Sequence, residues 1–223
     1  MSNKASSIQV DFVSDFVCPW CWLGHRNWQA AQKLVPEIEA VTVWRPYELD
    51  PNLPSEGAPY RDYMTAKFSG TNRDVWQKMR DHLEAAAPDA GIAFKFDDIP
   101  HRPSTLNAHR LMRWARGQDA AVADAVADRL FDAYFNRLEN IGDNSVLLQI
   151  GIESGMDGAI LTDLLAGDRD AAAVRDEADF FRKLGVTGVP TFIFNGQLAI
   201  PGAAAPENLA EALREASQLP AQG

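Results

Sequence analysis

Cys18 and Cys21, the only cysteines in the chain, enclose Pro19 and Trp20 as a C-x-x-C pair. Two sulfurs at this spacing support thiol–disulfide exchange: one thiolate forms a mixed disulfide, and the thiol three residues on resolves it. Cysteines in such settings titrate at roughly 3.5 to 7.5, against about 8.5 when free. Two other uses compete. Structural zinc normally takes four ligands. No second cysteine pair exists, and His25, His82, His101 and His109 are not tightly paired in sequence. Inert core thiols are the other alternative. The cysteine arithmetic favours redox use without metal.

The elements that must position the pair can be read outward from it. Ile8 to Val17 is apolar and β-branched, and reads as a strand. Cys21 to Val35 reads as a helix stopped by Pro36, which puts Cys18 at or near its first turn. There, unpaired N–H groups and the helix dipole favour a negative sulfur. Val41 to Arg45, bounded by Pro46, reads as the next strand; a helical crossover of this length joins parallel strands with right-handed connection. Pro51, Pro54 and Pro59 mark an irregular segment that leaves the sheet.

The middle of the chain reads as helical. Ala108, Leu111, Met112 and Ala115 follow helical spacing after Ser104, read as an N-cap. Ala123 to Tyr134 carries a second helix, and Asn144 or Ser145 caps a third. Asp157 to Leu165 is a short fourth, and Val174, Ala178 and Phe181 belong to a fifth stopped by Gly185. Between Gly91 and Pro103, Ile92, Phe94 and Phe96 alternate as a short strand would. Thr191–Phe194 and Leu198–Ile200 flank Asn195-Gly196, a strong hairpin signal. Pro206 opens a last helix carrying Leu209, Leu213 and Ala216.

The whole chain sets wider bounds. Its 223 residues, 46% hydrophobic and 23% charged, can bury a sizeable core. A net charge of −10 argues against nucleic acid or an anionic membrane as partner. No apolar run approaches the 18 to 20 residues or so of a membrane span, and the N-terminus lacks the apolar core of a secretory signal. Cytoplasm is the default location, where a C-x-x-C pair cycles rather than staples the fold.

The order β-α-β, helical block, β-β-α, with C-x-x-C at the first helix, resembles a thioredoxin fold of the DsbA-like superfamily. The runs DFVCPWCWLG (Asp15–Gly24), STLNAHRLMRWA (Ser104–Ala115) and GVTGVPTFIFNG (Gly185–Gly196) resemble its FrnE-like branch. The resemblance implies an α/β thioredoxin domain at 1–58 and 180–223, with an inserted all-helical domain at 59–179. It implies that Cys18 is the nucleophile and Cys21 the resolving thiol, with Pro19 and Trp20 tuning the pair. Pro190 would be a cis-proline facing the pair, and Val189 before it would offer its backbone to an extended substrate chain. The chain departs from the branch at Ile200–Ala204, where similar proteins commonly carry S-G-A-Q.

Other residues keep two readings. Trp20 either rims a substrate site or packs its helix, whereas Trp22 reads as packing. His25, on the Cys21 face, is a proton acceptor or, more in keeping with a helix that runs away from the site, a packed histidine. Asp11 and Asp15 need partners in so apolar a run; either could relay protons to Cys21 or bond a loop. Asn107 and His109 line an interdomain cleft or serve the junction.

The leading function is a thiol–disulfide oxidoreductase acting on protein or small-molecule disulfides, with no tightly bound cofactor and with glutathione an admissible co-substrate. The alternative is a glutathione-dependent transferase or isomerase of the kappa-class or 2-hydroxychromene-2-carboxylate isomerase type. Those typically lack an intact cysteine pair, so Cys18 and Cys21 together weigh against it. A binding module with incidental thiols is the third reading. Oligomeric state, direction and redox partner are not encoded in these motifs.

Overall fold

The computed structural model describes residues 7–70 and 73–220. Strand β1 (Ile8–Ser14) is followed by helix α1 (Pro19–Leu34) and strand β2 (Ala40–Pro46), which pairs parallel to β1 with Ile8 opposite Ala40. Then comes an excursion from the sheet. It comprises a two-residue strand β3 (Ala58–Pro59), helices α2 (Tyr60–Lys67) and α3 (Arg73–Ala86), and the short strand β4 (His101–Arg102), which returns antiparallel to β3. Helices α4 (Leu106–Gln118), α5 (Ala120–Phe135), α6 (Asn144–Glu153), α7 (Gly158–Ala166) and α8 (Ala171–Lys183) follow. Strands β5 (Thr191–Phe194) and β6 (Leu198–Pro201) and helix α9 (Pro206–Gln218) complete the chain.

The sheet runs β2-β1-β5-β6, with β1 antiparallel to β5 and β5 to β6. This is the thioredoxin-like arrangement expected from the sequence. Asn195 and Gly196 both take positive φ, 48° and 69°, which matches the right-handed twist of the strands they join.

Alternation along β1 sends side chains to opposite faces. Phe12 stacks on Phe192 with centroids 4.5 Å apart, and Trp28 of α1 packs near Phe192 and Phe194. Leu209 and Leu213 of α9 are fully buried. On the other face Val13 meets Phe181 of α8 and Val186.

Asp11 shares that face. Arg45 Nε donates to it at 2.8 Å, and Arg45 Nη1 donates to Glu177 of α8 at 2.8 Å. Arg116 of α4 also donates to Glu177, at 2.8 and 2.9 Å. The strand carboxylate thus has its partner, and the charge chain ties α4 and α8 to the sheet. Burial raises the Glu177 carboxyl, but Arg116 and Arg45 outweigh it and hold it below the usual range. A depressed carboxyl stabilises above its unfolded pKa and loses that contribution as pH falls through the folded value. The melting temperature of the native protein is therefore expected to exceed that of Glu177→Gln at neutral pH. The gap should narrow between about pH 5 and 3; a gap that stays constant on acidification overturns the assignment.

Several elements differ from the sequence reading. β1 stops at Ser14 rather than Val17, because Asp15–Val17 form the turn into α1, with Cys18 N–H bonded to Asp15 O at 3.1 Å. Helices α2 and α3, which follow the irregular segment of Pro51, Pro54 and Pro59, have no individual counterpart in the sequence reading. Residues 92–96 form no strand: Phe96 begins a short 3-10 turn, and the alternation of Ile92 and Phe96 reflects burial alone. Thr105, not Ser104, precedes α4, and its side chain makes no capping bond. Asp143, not Asn144 or Ser145, caps α6, accepting from Ser145 N at 2.8 Å. The division expected between 179 and 180 falls inside α8, whose Phe181 face packs on the sheet.

Candidate active site

Cys18 is the N-cap of α1, with extended φ and ψ of −95° and 113°. Its carbonyl accepts the first helical bonds, from Cys21 N at 3.0 Å and Trp22 N at 3.3 Å. Pro19 follows at the first helical position, where a missing N–H is harmless. The two thiols are unbridged and buried: Cys18 is 4% exposed and Cys21 fully covered. Burial pushes the Cys21 thiol well above its ordinary value, reinforced by its hydrogen bond with Cys18 and opposed in part by a main-chain bond at Asp15.

Cys18 Sγ lies 3.8 Å from the carbonyl oxygen of Val189. The Val189–Pro190 peptide is cis, and Pro190 O accepts from Gly202 N at 2.7 Å. Gly202 belongs to the Ile200–Ala204 stretch where the chain departs from its branch; here that stretch holds the proline loop through its backbone. Gly24 of α1 lies under the same loop: a Cβ there would sit 3.0 Å from Pro190 Cγ. The glycine thus permits close approach of helix and loop.

The peptide carrying Cys18 is held from both sides. Its N–H bonds Asp15 O, and its carbonyl, that of Val17, accepts from Arg102 Nη1 at 3.0 Å. Arg102 is 5% exposed and donates its remaining edge to Asp50, from Nε at 3.1 Å and from Nη2. Tyr63 OH and Lys67 Nζ also donate to Asp50. Burial disfavours the Asp50 charge, but Arg102, Tyr63 and Lys67 outweigh it and hold the carboxyl below its ordinary range.

A cavity of about 250 Å³ opens on Cys18. Trp20 and Val189 flank the sulfur, and the far wall comes from α2, α3 and the 96–98 turn, including Met64, Phe68, Trp76 and Phe96. Phe68 stacks on Trp76 at 5.1 Å, and Trp76 meets Phe96 edge-on at 5.6 Å. Trp20 is half-buried and tilts against His82 at 5.3 Å, so it both lines the cavity and packs its helix.

The other residues singled out in the sequence lie away from this cavity. Trp22 is core, stacked on Phe135 at 5.4 Å and edge-on to Phe94. His25 is 2% exposed, with Nε2 2.9 Å from Asp128 Oδ1 and its ring beside Trp44. Asn107 joins α4 to α6 through Asn144 Oδ1 at 3.1 Å and accepts from Arg110. His109 tilts against Phe16 at 5.1 Å and sets Nε2 3.4 Å from Asp15 Oδ1, both side chains buried. The second Asp15 oxygen accepts from Leu49 N at 2.8 Å. Asp15 and His109 thus lie in the packing beneath the loop that carries Cys18, with Asp15 Oδ1 and His109 Nε2 buried and free of any hydrogen-bond partner.

Arg102, Asp50, Tyr63, Lys67 and Trp76 escaped the sequence reading. Nothing in spacing ties Arg102 to a cysteine 84 positions earlier. Trp76, Met79 and Leu83 do carry a helical period that would have revealed α3.

Residues 9–214 match the model of the DSBA-like thioredoxin domain. The chain is 27% identical over 211 residues to the uncharacterised protein YwbO of Bacillus subtilis, covering 94% of this chain and 97% of that one. The crystal structure of a probable DsbA oxidoreductase from Streptomyces coelicolor superposes with a TM-score of 0.83 at 28% identity, covering 96% and 93% of the two chains. The cytosolic disulfide reductase DsbM from Pseudomonas aeruginosa, solved with GSH, shares the fold with a TM-score of 0.66 at 18% identity, covering 95% of this chain and all of that one.

Proposed function

As a member of the DSBA-like thioredoxin domain family, this chain, we propose, catalyses thiol–disulfide exchange with Cys18 as nucleophile and Cys21 as resolving thiol. The observation that carries the reading is the seat of Cys18. It stands at a helix N-terminus, its peptide held on both sides, with its sulfur between the Val189 carbonyl and a cavity. The helix dipole favours a negative sulfur there. Cys21, fully covered and pushed up by burial, is suited to wait as a thiol.

In the reducing direction, the Cys18 thiolate attacks one sulfur of a disulfide, forming a mixed disulfide and expelling the first thiolate. Cys21 gives up its proton and attacks Cys18 sulfur; the Cys18–Cys21 bond forms and the second thiolate leaves. The pair loses two electrons and the substrate gains them. Pro19 and Trp20 tune the pair through the helix start, and Val189 and Pro190 border the incoming substrate. No tightly bound cofactor is required, glutathione is an admissible rather than a preferred co-substrate, and the reaction belongs to the cytoplasm.

The test is a redox titration in glutathione buffers followed by tryptophan fluorescence, since Trp20 and Trp22 border the pair. A reversible transition, tenfold in ratio per about 30 mV as two electrons require, is expected, and it should vanish in Cys18→Ser. No transition, with saturable glutathione binding instead, overturns the proposal in favour of a transferase or isomerase.

A further inference from the structure

The cavity beside Cys18 has a chemistry of its own. Its volume of about 250 Å³ lies below the range of roughly 300 to 1,000 Å³ typical of drug-sized ligand sites, so it holds about one ring and not a length of chain. Its wall is ring faces and edges: Phe68 on Trp76, and Trp76 against Phe96. Such surfaces favour an aromatic guest in offset or edge-on contact.

The polar side chains in the lining are committed elsewhere. Tyr63 and Lys67 donate to Asp50, and Arg102 divides its guanidinium between Asp50 and the Val17 carbonyl. Lys67 also donates to Tyr63, and its side chain is 38% exposed. A thiol carrying several charged groups, such as glutathione, would surrender hydration in the cavity and find few partners there. An apolar one strips no charged group of water, and its transfer out of water is itself favourable.

We propose that the preferred exchange partner of this chain is a small aromatic disulfide, seated with one ring between Trp76 and Trp20 and one sulfur at Cys18. The proposal rests on the exchange reading above and names its substrate class. In one turnover the Cys18 thiolate displaces one arylthiolate from the disulfide, and the other arylthio group stays bonded to Cys18 sulfur as a mixed disulfide. Cys21 then displaces that group by forming the Cys18–Cys21 bond. The pair loses two electrons, two arylthiolates are released, and the two thiol protons pass to them or to water.

The experiment is a single-turnover oxidation of the reduced protein, which needs no external reductant. Second-order rate constants are measured for 4,4′-dithiodipyridine, bis(2-hydroxyethyl) disulfide, oxidised glutathione and an unstructured peptide with one disulfide. Each is divided by its rate with free dithiothreitol to remove intrinsic leaving-group differences. The aryl disulfide is expected to lead the others by about tenfold or more after this division. Met64→Trp, which fills the cavity, is expected to collapse that ratio toward one. Equal normalised rates overturn the proposal. So does a lead for the peptide, which would direct attention to the wider groove, about 690 Å³, along Gly188–Thr191 and β6. Rates no faster than free dithiothreitol for every disulfide would instead sink the exchange reading itself.

A second measurement stands if Met64→Trp does not fold. Calorimetry on Cys18→Ser with thioanisole and with S-methylglutathione reads the cavity without chemistry. Thioanisole is expected to bind about tenfold tighter; the reverse order overturns the proposal.

Discussion

Cys21→Ser is expected to accumulate a stable mixed disulfide on Cys18 when the reduced protein meets any reactive disulfide, whereas Cys18→Ser forms no adduct at all. The asymmetry follows from the geometry. Cys18 faces the cavity and the Val189 carbonyl, while Cys21 is fully covered inside α1. Well-placed intramolecular groups act at effective concentrations of about 10⁵ M and above. Removing Cys21 therefore leaves resolution to external thiols at millimolar levels, many orders of magnitude slower. Intact-protein mass spectrometry reads the adduct directly. An adduct on Cys21 with Cys18 free would reverse the assignment of roles. A pH dependence accompanies the prediction. Burial keeps Cys21 protonated near neutrality, and the thiolate is the attacking form. Resolution of the adduct in the native protein should accelerate about tenfold per pH unit in the alkaline range, and a flat profile would contradict a buried resolving thiol.

The second large effect belongs to Arg102. Its side chain is 6% exposed, bonded to Asp50 and to the Val17 carbonyl. Arg102→Met keeps the stem but leaves a carboxylate and a carbonyl without their main donor. Breaking a buried pair from one side typically costs about 3 to 5 kcal/mol. Asp50 keeps Lys67 and Tyr63 as partners and a fifth of its own side chain in solvent. The expected loss is therefore near the lower end, about 3 kcal/mol, by chemical denaturation. Exchange should slow as well, because one of the two ties on the Val17–Cys18 peptide is gone. Asp50→Asn in the same background should restore part of the stability, since the uncompensated charge goes with it. A loss under about 1 kcal/mol for Arg102→Met would show that the pair is effectively solvated.

Much of this was legible in the chain. The sheet, its hairpin and helices α4 to α9 announce themselves through apolar periods and turn residues, and Cys18 to Cys21 through spacing. What stayed hidden has physical reasons. Helices α2 and α3 drew no individual reading after three closely spaced prolines, and α2 presents several of its eight side chains to solvent. The Ile92–Phe96 alternation is burial without a strand. His109 and Asn107 stand in a distinctive motif, yet its polarity serves packing: a histidine against Asp15 and an asparagine between two helices. Arg102 met its partners only through tertiary contact, which no local pattern encodes.

The short ribbon of β3 and β4 has a consequence for inheritance. Ala58 lies opposite Arg102 and Pro59 opposite His101, so the stretch that carries α2 and α3 leaves and re-enters at one point. A segment whose ends already meet can change its interior with little penalty in loop closure and without moving the sheet. The chemistry at residues 18–21 and the wall that screens what reaches it are thus written in separable passages of the chain. A lineage, or an engineer, can rewrite residues 60–100 and alter the guest while the sulfurs stay as they are.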